Sequence, residues 1–141
     1  MSGVKEFLQQ VELCDAHINN KLEELAHLKT LAVKITTTMK QDVVSSSGNQ
    51  DKVGGIVAKM IDLEKEINQA VDSFVNKKRE VSKVIEQVNN PDYLTVLYKR
   101  YFFPYESFEK IACEMGYTYR NVCYLHGKAL QAVEELIAGK G

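Results

Sequence analysis

The 141-residue chain has no tryptophan, two prolines and three cysteines. So few prolines, with eight glycines, argue against a turn-rich all-β fold and favour helices. The cysteines, Cys14, Cys113 and Cys123, are odd in number and form no Cys-x-x-Cys pair. That speaks against a disulfide framework and against a zinc site. No apolar run approaches the roughly 18 residues of a membrane span. The opening "MSGVKEFLQQVELCDAH" lacks the continuous apolar stretch of a signal peptide, so the cytoplasm is the expected compartment. A formal net charge of -1 excludes a polybasic tail and gives no support to wholesale coating of nucleic acid. What is present is a hydrophobic fraction of 45%, enough for the core of one ordinary domain or two small ones.

Charge does not divide the chain, but aromatic content does. Both sides of Asn90 are nearly neutral, yet all seven tyrosines and both prolines follow it. Before it stand only Phe7 and Phe74. A long aromatic-poor segment followed by a short aromatic-rich one predicts two structural units.

The first segment carries two seven-residue repeats. Val4, Val11, Ile18, Leu25, Ala32 and Met39 are spaced by seven, with Phe7, Cys14, Lys21, Leu28 and Ile35 three residues further on. Val53, Met60, Ile67, Phe74, Val81 and Val88 repeat the pattern, with Ile56, Leu63, Ala70, Lys77 and Val84. Leu8 and Leu22 widen the first stripe; Val57, Val71 and Ile85 widen the second. Such repeats are the signature of coiled-coil packing. The intervening "QDVVSSSGNQDK", centred on the segment 42–52, supplies turn chemistry from Ser45 to Asn49. Two helices of similar length, about 54 Å each, joined by a short loop make an antiparallel hairpin over residues 3–88. The three-track stripe is wider than two helices bury, which points to packing on the C-terminal unit or on a second copy. His17, His27 and the triplet Lys77, Lys78 and Arg79 read as solvated surface. Gly54-Gly55 has no Gly-Lys-Ser/Thr continuation and is no phosphate loop.

The second segment, 90–138, reads as three helices. Asn90 caps the first, with Pro91 in its first turn and Asp92 at the positive end of its dipole. Leu94, Leu97, Tyr98 and Tyr101 share one face, and Pro104 ends the helix. Ser107 caps the second helix and Thr118 the third, which runs to Gly139. Between them, Ala112 is small where two helices cross, and Gly116 suits a tight turn at positive φ. Ile111, Met115, Tyr117, Val122 and Leu125 are apolar, as residues that bury the joint of a helix-turn-helix would be. The overall expectation is an all-α protein: an antiparallel coiled-coil hairpin followed by a three-helix helix-turn-helix domain.

The stretch from Tyr93 to Leu136 resembles region 4 of bacterial sigma factors. The matching residues are Leu97, Arg100 and Tyr101, then Ser107, Glu109, Ile111 and Ala112, then Gly116, then Val122, Ala129 and Leu130. With the N-terminal hairpin, the chain is similar to small sigma-like regulators of phages and prophages, among them late-operon activators of the ArpU type. That resemblance implies double-stranded DNA as partner, control of transcription, and contact with RNA polymerase. It implies Tyr119, Arg120 and Tyr124 as base-facing residues, with Thr118, Asn121 and Lys128 on phosphates or groove edges. Arg120 suits a bidentate pair to guanine. Lys99 and Arg100 suit the DNA backbone, and Arg100 equally suits an ion pair within the three-helix unit. His126 is expected at the surface. Cys123 and Gly127 depart from the usual basic, helix-favouring pattern, so modest solo affinity and a homodimer through the hairpin are expected.

No Ser-His-Asp, Cys-His or paired-carboxylate arrangement stands out, so neither enzyme activity nor a metal or cofactor is expected. Two other readings compete. One is a DNA-packaging adaptor resembling phage terminase small subunits, which form large rings. The other is a helical protein-interaction module that never touches DNA.

Overall fold

A computed structural model describes residues 2–41 and 46–140. It is all-α: α1 (Ser2–Gln41), α2 (Ser46–Ile85), α3 (Pro91–Tyr101), α4 (Phe108–Met115) and α5 (Tyr119–Lys140). No described helix is long and apolar enough to cross a membrane. The chain forms two compact units, one of Met1–Asp15 with Phe74–Gly141 and one of Ala16–Ser73.

The unit 16–73 is a pair of antiparallel helical segments. Leu25, Leu63 and Ile67 form its buried cluster, with Leu28 and Met60 packed against it. Lys21, the polar residue in the first repeat, places Nζ 3.4 Å from Glu66 Oε1. Lys21 thus keeps its stem in the seam while its charge reaches an acidic partner at the edge. The predicted seven-residue tracks face inward, as Ile18, Leu25, Ile56, Leu63 and Ile67 are all buried. Of the widening residues, Leu8 and Ile85, which lie in the other unit, are fully buried, whereas Leu22, Val57 and Val71 in this one are exposed, with Val33 and Ile61. Two helices share a narrow seam, and residues flanking it remain at the surface unless a third element covers them.

The connector is shorter than the expected turn. α2 begins at Ser46, so Ser46, Ser47, Gly48 and Asn49 lie in its first turn rather than in a loop. A first turn needs no apolar stripe and tolerates Ser, Gly and Asn. Ser45, and residues 42–45 generally, lie outside the described residues, as does the side chain of Met39. Gly54 and Gly55 are both exposed in α2, and nothing in the structure explains them.

The other unit joins both ends of the first segment to the three C-terminal helices. Val4, Leu8 and Val11 of α1 and Val81 and Ile85 of α2 share one buried cluster with Val88, Leu97, Tyr101, Phe102, Ala129, Leu130 and Val133. A boundary at Asn90 therefore separates helices in sequence while the core runs across it. α2 ends at Ile85, three residues before Val88, yet Val88 remains buried through a turn closed by its N–H on the Ile85 carbonyl (2.9 Å).

The three C-terminal helices start at the expected caps and α4 stops at the expected glycine, whereas α3 stops at Tyr101, three residues before Pro104. The Asn90 side chain accepts from the Asp92 and Tyr93 N–H groups at 2.9 and 3.2 Å, with Pro91 at the helix start. Ser107 Oγ accepts from Lys110 N, and Thr118 Oγ1 from Asn121 N at 3.0 Å. Gly116 ends α4 at φ 72, the left-handed geometry that glycine adopts without steric cost. α3 lies between two cores. Leu97 and Tyr101 point into the first, and Val96 into a second with Ile111, Ala112, Val122 and Leu125.

Leu8 and Ile85 are fully buried in the core that α3 and α5 share. Leu8→Ala is therefore expected to destabilise the C-terminal helices by about 2–4 kcal/mol. Urea unfolding followed through the tyrosines, none of which lies in α1 or α2, measures this; an unchanged tyrosine transition would show the helices independent.

Candidate nucleic-acid interface

α5 has a buried face and an exposed one. Val122, Leu125, Ala129, Leu130 and Val133 are buried, and the helix packs on α3 and α4. At 3.6 residues per turn, Arg120, Tyr124 and Gln131 fall on the opposite side. All three are exposed, Tyr124 with 61% of its surface open. Tyr119, also exposed, stands at the flank of this stripe.

The expected contact residues fall into two sets. Tyr119, Arg120, Asn121 and Tyr124 are exposed together on the first two turns of α5. Thr118 is exposed as well, but its hydroxyl is engaged in capping. Arg120 makes no hydrogen bond or ion pair among the described residues. Lys128 is half-buried and holds its Nζ 5.6 Å from the centre of the Tyr124 ring, a cation–π contact on the same face. Gln131, one further turn along, extends the stripe. Helical spacing from Arg120 was the available signal for it.

Lys99 and Arg100 are spent inside the unit. Lys99 Nζ lies 3.1 Å from Glu114 Oε1, tying α3 to the end of α4. Arg100 donates from its guanidinium to the Glu106 carbonyl at 3.1 Å and lies 4.6 Å over the Phe108 ring. Of the two roles open to Arg100, the internal one has the contacts, though they are to a carbonyl and a ring instead of a carboxylate. Glu106 is drawn in by its backbone too, since its N–H donates to the Lys99 carbonyl at 2.9 Å. Its side chain meets Glu114, and that hydrogen bond raises the Glu106 carboxyl above its ordinary value while lowering Glu114.

Two further residues depart from the sequence-based expectation. Tyr117 is exposed instead of closing the joint between α4 and α5, and its hydroxyl donates to Asp92 at 3.0 Å. The joint is filled without it by Ile111, Val122 and Leu125. His126 is buried rather than at the surface. It follows Val122 by four residues and precedes Ala129 by three, the spacing of the buried face. Its Nε2 lies 2.6 Å from Tyr101 Oη, and its ring packs 4.8 Å from that of Phe108. Burial, then the charges of Lys5 and Arg100, push its pKa down to about 4. Burial, against the opposing charge of Arg100, pushes Tyr101 up to about 12. Both groups are neutral near pH 7, and the proton between them lies on Tyr101 Oη or on Nε2 according to the imidazole tautomer.

Gly127 has no role in this packing. A Cβ built there meets nothing within 4 Å, and its φ is not left-handed. Glycine inside a helix costs about 1 kcal/mol against alanine, so the fold carries that cost without an internal return.

Other chemistry is sparse. Among the described residues no three His, Cys, Asp or Glu side chains come together as metal ligands. Cys14, Cys113 and Cys123 are all free thiols. A hydrogen bond with the Cys123 side chain, with the nearby Glu109 carboxylate, raises the Tyr119 hydroxyl above its ordinary value.

His126 gives the fold a defined acid sensitivity. Its pKa is lower folded than unfolded, so the unfolded chain binds the extra proton between about pH 6.5 and 4. The stability is present above pH 6.5 and is lost as pH falls through this window, on the order of 2 kcal/mol after solvent screening. Thermal melts at pH 7, 6 and 5 are expected to fall more steeply for the native chain than for His126→Gln. Equal slopes would show that another group governs the loss.

No curated protein and no solved structure matches the chain. The family described as a protein of unknown function, DUF1492, matches residues 34–132. That span takes in α2, α3, α4, most of α5 and every candidate contact residue. The chain therefore belongs to the DUF1492 family.

Proposed function

We propose that the protein is a sequence-specific DNA-binding regulator of transcription, acting on phage or prophage genes, with α5 in the major groove. One observation carries this reading. The first turns of α5 present Tyr119, Arg120, Asn121 and Tyr124 to solvent on a helix that two cores hold in place. A rigid helix with an unpaired arginine and large polar side chains is what direct base readout requires. The likeness of residues 93–136 to sigma factor region 4 supports the same reading and adds RNA polymerase as a partner. Thr118 shapes the helix start, and Lys128 supplies charge beside Tyr124. With Lys99 engaged by Glu114 and Arg100 turned inward, few cations remain for phosphates. Solo affinity is accordingly modest, with a shallow salt dependence set by those few cations.

Tyr119→Ala with Arg120→Ala is expected to weaken binding to the DNA upstream of the protein's own gene at least tenfold. A gel-shift titration measures it, and an unchanged affinity would sink the assignment to α5.

A homodimer through the segment 16–73 completes the proposal. Its exposed Leu22, Val33, Val57 and Ile61 flank the buried seam and favour self-association. Sedimentation is expected to give a dimer mass. A ring of eight or more subunits would favour the DNA-packaging adaptor instead, and absence of DNA binding at low salt would favour a protein-interaction module.

A further inference from the structure

We infer that Gly127 is the seat of a DNA phosphate, and that the DNA-facing surface of α5 continues through it to Gln131. The inference rests on the DNA-binding reading and extends it beyond the first two turns. Arg120, Tyr124, Gly127 and Gln131 are spaced by four, three and four residues, which places them within about 60° of arc on one face. That face is exposed at Arg120, Tyr124 and Gln131 and half-buried at Gly127, and it lies opposite Val122, Leu125 and Ala129.

Gly127 interrupts this stripe of large side chains. The fold does not require it, since a Cβ there would meet nothing within 4 Å and its backbone is not left-handed. Gly127 is half-buried, and with open space where a Cβ would stand it allows a closer approach of an outside group to the helix backbone. Here it leaves a notch between Tyr124 and Gln131.

The charges around the notch select the visitor. Lys128 adjoins it, with its ammonium held 5.6 Å from the centre of the Tyr124 ring rather than paired to a carboxylate. Arg120 lies two turns toward the helix start. Glu134 and Glu135 are exposed two turns beyond Gly127 and repel an anion. The favourable footprint therefore begins at Arg120 and ends at Gln131. A phosphodiester group matches the charge beside the notch, where the Lys128 ammonium supplies the donor. Because phosphate contacts carry no sequence information, this contact should matter on any duplex.

The experiment compares the full native chain, Gly127→Ala and Lys128→Met on a mixed-sequence duplex at low salt. Gly127→Ala is expected to raise the thermal midpoint by a few degrees, through helix propensity, and to lower DNA affinity about tenfold or more. Lys128→Met is expected to reduce the slope of log affinity against log salt by about one. A native chain that binds with a Gly127→Ala variant that melts higher and binds equally well overturns this inference alone. A variant that loses self-association in sedimentation while keeping DNA affinity assigns the notch to a protein helix and also overturns it. A native chain that binds no duplex overturns the DNA reading and this inference together.

Discussion

One core decides how this protein is built: Leu8 of α1, Ile85 of α2 and Leu97 of α3 are fully buried in a single cluster with Ala129 and Val133 of α5. A three-helix unit as short as α3 to α5 buries a smaller share of its surface than a larger domain does. The ends of the two long helices supply what it lacks. Tyr105 adds a polar tie within the same unit: its hydroxyl donates to Asp15 at 2.7 Å, and its backbone is held at φ 58 in the turn after α3. A non-glycine residue there is uncommon and persists when its surroundings hold it.

That framework lets α5 divide its labour. One side is consumed by packing, down to a histidine kept neutral against Tyr101 and Phe108. The other side is free of structural duty over Arg120 and Tyr124, and Gly127 is free even of a side chain. The same unit uses up cations that would serve a nucleic-acid surface. Lys99 goes to Glu114, and Arg100 to the Glu106 carbonyl and the Phe108 ring. The nearly neutral composition thus understates how localised the remaining positive charge is.

Much of this was legible from spacing. The seven-residue repeats located the buried seam at Ile18, Leu25, Leu63 and Ile67. Asn90, Ser107, Gly116 and Thr118 marked the helix ends because caps act within three residues of themselves. The flanking track was less legible: Leu22 and Val57 have the same hydrophobicity as the seam residues, and only the number of neighbouring helices decides whether they are covered. Ser46 to Asn49 read as a turn because composition does not distinguish a loop from the first turn of a helix. In the candidate site, Tyr119, Arg120 and Tyr124 were legible by helical position. The partners of Lys99 and Arg100 were not.

The sequence by itself determined the all-α class, the paired long helices, and the helix-turn-helix with its caps and its glycine turn. These follow from periodicity and from interactions a few residues long, which a linear reading captures. The tertiary structure alone decided that the core crosses Asn90, that His126 is interior and Tyr117 exterior, and which cations are already spent. Each of those depends on a partner far away in the chain: Leu8 for Leu97, Tyr101 for His126, Glu114 for Lys99. Burial and charge pairing are properties of neighbours in space, and the spacing of residues along one helix does not name them.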